Sequence, residues 1–220
     1  MFGKEKDAIA PLVQKCGFEI VAEHPDVVVS YGGDGTLMQA EHQFPGIPKI
    51  ILKNSLVAKK ASVLSNEEVL KRVCAGQYRI EEFWKLQASF KNSAWRALND
   101  IVVHNKNPRH AIRYAVSVNG KEIRQNIIGD GMVAATPFGS SGYYRSITDS
   151  FFEIGIGIAF NNSTEQSDHM VLKEDSIITA TIMRGPAVVY ADNQEHAEDM
   201  REGDTLTIQK SSDVAKIISV

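Results

Sequence analysis

The chain has 220 residues, 43% of them hydrophobic and 23% charged, the composition of a globular protein with one large domain or two small ones. Its 24 Lys and Arg against 27 Asp and Glu leave a formal net charge of −3, without the basic surplus of a nucleic-acid binder. Cys16 and Cys74 make neither a disulfide framework nor a metal spacing, no apolar run reaches the ~18 residues of a membrane span, and "MFGKEKDAIA" lacks the apolar core of a signal peptide, so a cytoplasmic protein with no membrane partner is expected.

Residues 4–17 place Ile9, Leu12 and Val13 at helical spacing and stop at Gly17. "FEIVAE" reads as a short strand. "DVVVSY" is continuously apolar and β-branched, as a strand covered on both faces should be. Residues 36–44 read as a helix with Leu37, Met38 and Phe44 on its apolar stripe, and "IPKIIL" as a second buried strand. "SNEEVLKRVCAG" has Ser65 or Asn66 as N-cap, acids in the first turn and Gly76 as a stop. Alternating strands and helices imply a small parallel sheet.

After about residue 77 the texture changes. "YRIEEFWKLQASF", "AWRALNDIVVHN", "AIRYAVSVNGKEIRQNIIG", "GMVAAT", "IGIGIAF", "SIITATIMR", "AVVYAD" and "DTLTIQK" are strand-like, and Asn119-Gly120 is a strong hairpin signal. Only "GSSGYYRSITDSFF" reads as helical. The expected fold is therefore α/β plus all-β: a small, Rossmann-like parallel-sheet domain over residues 1–77, then a β-sandwich over 78–220.

Three stretches carry chemistry. The strand "DVVVSY" leaves through Gly32-Gly33-Asp34-Gly35-Thr36, and glycines between a strand and a helix let an anion reach main-chain N–H groups. This is neither the dinucleotide G-x-G-x-x-G nor a P-loop. Asp34 would repel a phosphate, but it fits a role in taking a proton from an attacking hydroxyl or in binding Mg²⁺ between phosphates. A tight turn capped by Asp34 or Thr36 is the alternative, and it leaves some of the glycines unexplained. Asn99-Asp100, in "ALNDIVV", suits recognition of ribose or base hydroxyls, or is a plain turn pair. "GDGMVAATPFGSSGYY", residues 129–144, joins a second Gly-Asp-Gly to a turn dense in hydroxyls and free backbone. The six histidines form no metal-binding pattern, and "GSSGY" is not a nucleophile elbow.

In this order the three stretches resemble the landmarks of the NAD kinase family, GGDGT, then N-E/D, then GDG followed by T-P-[TS]-G-[ST]-T-A-Y; GGDGT alone is shared with diacylglycerol-type lipid kinases. The resemblance covers residues 18 to 210 and implies the same two-domain plan. It implies transfer of a phosphoryl group from ATP or polyphosphate, with Mg²⁺ bound to the donor, to the 2′-hydroxyl of the adenosine ribose of NAD. Asp34 is then the general base, and Gly32, Gly33, Gly35 and Thr36 shape the phosphate turn. Asn99, Asp100 and Asp130 bind the dinucleotide, Asp130 from a neighbouring subunit in some relatives. Ser141, Gly142 and Tyr143 match the end of the last motif, and Asn193 lies in "DNQ", which is similar to the family's late D-G-Q turn. A homodimer or homotetramer is expected by the same resemblance.

The chain departs from the pattern at "ILKNSLVAKKAS", which keeps Asn54 but loses the family's N-x-G-x-L-G-F loop and gains Lys53, Lys59 and Lys60. Phe138 replaces a hydroxyl residue. Only Met1-Phe2 stands for a first strand, and the return segment that relatives carry at the C-terminus is nearly absent after "AKIISV". Two rival functions follow: a lipid or small-alcohol kinase sharing only the GGDGT half, and a non-catalytic relative that binds a nucleotide.

Overall fold

The computed structural model describes residues 1–54, 60–164 and 168–220. Two compact units form: one from Met1–Phe83 with Asp213–Val220, the other from Trp84–Ser212. The division falls inside a strand, a few residues beyond the change of texture near residue 77.

The first unit is α/β. Helix α1 (Lys6–Lys15) buries Ile9 and Val13, two of the three residues the helical spacing marks, and leaves Leu12 partly buried. Strand β1 (Val28–Tyr31) and strand β2 (Lys49–Leu52) pair in parallel, Val28 opposite Lys49. Between them runs helix α2 (Asp34–Gln43), which starts two residues earlier than the apolar stripe suggests. Helix α3 (Asn66–Cys74) is capped by Ser65, whose hydroxyl accepts the Glu68 N–H at 3.2 Å. Phe2 makes a single parallel bridge to Ser30, all that remains of a first strand.

"FEIVAE" forms no strand. His24 takes a left-handed φ of 50° just after it, Pro25 follows, and Ile20 and Val21 stay exposed, so no ladder partner covers them. The stretch "AKIISV" itself returns to this unit: Ile217 and Ile218 pair in parallel with Lys49 and Ile50, and Ile218 joins Val13, Val29, Ile50, Leu52 and Leu70 in its core. Lys49 is fully buried, yet neutralised. Its ammonium is ion-paired with Glu41 and also donates to the Phe44 carbonyl at 2.5 Å.

The second unit is a β-sandwich, as the run of strand-like segments predicts. One sheet has the order β10-β9-β8-β5-β12-β13, formed by His169–Leu172, Ile156–Asn161, Gly131–Ala135, Asp100–Asn105, Ala187–Ala191 and Ala197–Met200. Every pairing in it is antiparallel. In the other, residues 205–208 of β14 (Thr205–Ser219) pair with β11 (Ile178–Arg184), which pairs with β6 (Ile112–Val118), which pairs with β7 (Lys121–Gly129). Asn119 and Gly120, both at positive φ, close the β6–β7 hairpin where that dipeptide predicts it. Strands β3 (Arg79–Phe90) and β4 (Ser93–Ala97) form a further antiparallel pair.

The two sheets enclose Leu86, Trp95, Val103, Tyr114, Phe160, Ile182 and Leu206 among others. The outer face of the six-stranded sheet is covered in turn by helix α4 (Tyr143–Thr148), with Tyr144 packed on Val102, Val133 and Ala159. Strands β5, β8 and β9 are thus buried on both faces, which is why they read as unbroken apolar runs.

Candidate functional site

In the first unit the GGDGT turn carries the chemistry. Gly32 continues the sheet, its N–H donating to the Leu52 carbonyl at 2.9 Å, and a Cβ there would sit 2.2 Å from the Thr36 hydroxyl. Packing therefore demands that glycine. Gly33 is the N-cap of α2 at φ −95°, and a Cβ built on it meets nothing within 4 Å. Neither conformation nor crowding requires a glycine there, so the bare backbone faces open space. Asp34 is the first residue of α2, and no side chain caps the helix. Its carboxylate accepts the Lys60 backbone N–H at 3.2 Å. The N-cap, Gly33, has no side chain to cap the helix, and Asp34 lies at its positive end.

Gly32, Gly33 and Thr36 line a cavity of about 710 Å³, with Lys4, Lys6 and Asn54 also on its wall. Asp7 shares this wall with the two lysines, and Asp34 is not among the residues that line the cavity. Of the altered loop, Lys59 lies outside the described residues. The Lys53 ammonium is tied to the Ser62 and Val63 carbonyls at 3.2 and 3.4 Å.

In the second unit Asn99, Asp100 and Gly142 lie at one end of β5 and β8, and Asp130 lies at the other. Asp100 opens β5 opposite Ala135, the last residue of β8, so the chain before β5 and the chain after β8 lie side by side. Thr136 ties them: its hydroxyl donates to the Leu98 carbonyl at 2.6 Å and its N–H to the Asn99 carbonyl at 2.9 Å. Gly139 packs directly on the Asn99 backbone, where a Cβ would fall 2.3 Å from the carbonyl oxygen. The Asn99 side-chain oxygen is buried with no hydrogen-bond partner, and its amide nitrogen lies 3.8 Å from where a Cβ on Gly142 would stand. An orphaned acceptor beside a side-chain-free residue is an opening for a donor from a ligand.

Asp130 joins β7 to β8. Its carboxylate accepts from the Asn105 amide at 2.8 Å and from the Asn162 amide at 3.0 Å. Gly131, next to it, has φ +143°, and a Cβ would lie 1.9 Å from the Val103 carbonyl oxygen. The Tyr143 hydroxyl accepts from the Asn161 amide at 3.0 Å, and Asn161 also meets His104 at 3.3 Å. Burial, then the negative charges of Asp100 and Asp130, hold the Tyr143 phenol above its ordinary value, and burial pushes Tyr190 up to about 12. Asp100 itself is lifted to about 7, by burial first and by the neighbouring Asp192 second.

Of the residues the sequence marks, Asn99, Asp100 and Gly142 lie together, Asp130 lies at the opposite end of β5 and β8, Tyr143 reaches Asn161 opposite Gly131, and Ser141 is beside Gly142 in the chain. Sequence reasoning misses His104, Asn105, Asn161, Asn162 and Tyr190. Of these only the Asn161-Asn162 pair at the end of a buried strand carries a sequence signal, two amides where the apolar run stops. In "DNQ" the exposed residue is Asn193, while the Asp192 carboxylate turns inward.

An α/β unit with GGDGT at the exit of its first strand and a β-sandwich bearing the other motifs is the NAD kinase fold. The chain superposes on the yeast NADH kinase complexed with NADH at a TM-score of 0.81, with 19% identity over 90% of this chain and 62% of that one. It matches an Archaeoglobus fulgidus NAD kinase in complex with ATP at 0.79, with 23% identity over 99% and 90%. Residues 98–220 match the family described as the ATP-NAD kinase C-terminal domain, and the chain belongs to that family. A Saccharolobus islandicus NAD kinase is 30% identical over 144 residues, 66% of this chain and 57% of the relative. A Natranaerobius thermophilus NAD kinase is 24% identical over 217 residues, 92% and 75% of the two chains. The chain thus spans little more than half the length of the first of these relatives.

Proposed function

We propose that the protein is a kinase that phosphorylates the 2′-hydroxyl of the adenosine ribose of NAD. The observation that carries this reading is the Asp34 carboxylate, which begins α2 without capping it and adjoins a glycine that the fold does not require. In this reading the turn of Gly32, Gly33, Gly35 and Thr36, open at Gly33, and the lysines of the cavity wall hold the phosphates of the donor, ATP or polyphosphate. Asp34 takes the proton from the attacking ribose hydroxyl. Asn99, Asp100, Asp130, Ser141, Gly142, Tyr143 and Asn193 hold the dinucleotide.

Among the described residues no group of three or more His, Cys, Asp or Glu is placed to hold a metal ion. Mg²⁺ is read as arriving on the donor phosphates, where it would neutralise charge, with Asp34 the carboxylate within the turn. Every protein-side step proposed is binding, orientation or proton transfer. The same reading takes the protein to act in the cytoplasm as a homo-oligomer. Among the described residues no helix is long and apolar enough to cross a membrane.

The test is NADP⁺ formation from NAD⁺, ATP and Mg²⁺. Wild type should turn over, and Asp34→Asn should keep its fold and lose about 10²–10⁴-fold in rate, the usual weight of a general base. Near-normal turnover in the variant would remove Asp34 from the role. Phosphate transfer to a lipid and not to NAD, or NAD binding without transfer, would replace the reading with one of its two rivals.

A further inference from the structure

We infer that Asp192 is the positioning residue of the dinucleotide site: its carboxylate fixes the backbone of residues 98–100 so that Asn99 and Asp100 present their side chains to the ligand. This rests on the functional reading above. Asp192 Oδ2 accepts the Leu98 N–H at 2.8 Å, and Oδ1 accepts the N–H groups of Asn99 and Asp100 at 2.8 and 3.0 Å. The Asp192 N–H donates back to the Asp100 carbonyl at 2.8 Å. Thr136 takes the two remaining carbonyls, of Leu98 and Asn99. All six backbone polar groups of residues 98–100 are therefore satisfied, four of them by one residue that lies some ninety positions later in the chain.

Asp192 adopts this place in a left-handed conformation, φ 47°, which aspartate enters more readily than most non-glycine residues. With its backbone fully engaged, the segment needs nothing from the Asn99 side-chain oxygen, which is left buried and without a partner. The charged groups facing Asp192 are Asp100 and, on the favourable side, Lys85, itself buried. An asparagine at 192 can still serve two of the N–H groups through its oxygen. Its own NH₂ then confronts the third, donor against donor.

Calorimetric titration of NAD⁺ and, separately, of ATP into wild type, Asp192→Asn and Glu195→Ala tests this. Glu195 is exposed in the same turn and serves as the control. The expected result is NAD⁺ affinity at least about tenfold weaker in Asp192→Asn. ATP affinity should stay within about twofold, since the ATP-binding turn is read in the other unit, and Glu195→Ala should match wild type. Equal loss of both ligands, or NAD⁺ affinity unchanged, overturns the positioning role. Wild type that binds no NAD⁺ overturns the functional reading and this inference together. If Asp192→Asn does not fold, amide exchange of wild type decides. The N–H groups of residues 98–100 should be protected and should slow further on adding NAD⁺, and exchange indifferent to NAD⁺ overturns the inference.

Discussion

Single residues in this protein separate into those the fold needs and those it does not. Gly131 and Gly33 both sit in motifs that invite a functional reading, yet they differ physically. Gly131 has a positive φ and a carbonyl oxygen where a Cβ would go; Gly33 has an ordinary φ and free space. Gly131→Ala should therefore cost several kcal/mol of stability, on the order of 3. Gly33→Ala should cost at most about 1 kcal/mol, as at an N-cap, while weakening donor binding. Urea denaturation and ATP titration check the pair, and a Gly33→Ala variant that binds ATP normally would deny the turn its phosphate.

Asp100 adds a dependence on pH. Its folded-state value, about 7, lies above its ordinary 3.8, so the native state holds the proton more tightly than the unfolded chain does. The fold is favoured by this group below about pH 4, and that advantage is lost as pH rises toward 7. Asp100→Asn should be the more stable protein at pH 8, by on the order of 2 kcal/mol, with the gain fading toward pH 4. Thermal melts across that range would contradict the account if the two proteins ran parallel. A carboxylate retained at such a cost fits a site residue better than a packing residue.

At the scale of elements, what was legible was what local chemistry decides. The helix start at Ser65 or Asn66, the Asn119-Gly120 hairpin and the strand character of β5, β8 and β9 follow from propensity and period. The same holds for the three motifs, because each is contiguous. "FEIVAE" was misleading because a strand exists only through its partner, and the chain offers it none. The clasp of Asp192 on residues 98–100 was out of reach for the same reason: its two halves stand far apart in sequence. The return of Ile217 and Ile218 to the first unit was equally hidden, and it has a measurable weight. Ile218 is packed in the core of that unit. Ile218→Ala should destabilise by about 2–4 kcal/mol, read from the urea midpoint. An unchanged midpoint would mean that the segment merely rests on the unit without holding it together.

At the scale of the whole molecule, the chain encodes one unit inside the other. Residues 84–212 interrupt the α/β unit, which begins at residue 1 and is completed only by residues 213–220. The β-sandwich has no such debt, since its segments are consecutive. This order governs birth on the ribosome: the sandwich has all its strands while the α/β unit still lacks the neighbour of β2. The unit that carries Asp34 is therefore the last to be completed. A nascent chain stalled short of residue 213 already holds every strand of the sandwich and does not yet hold a finished GGDGT platform.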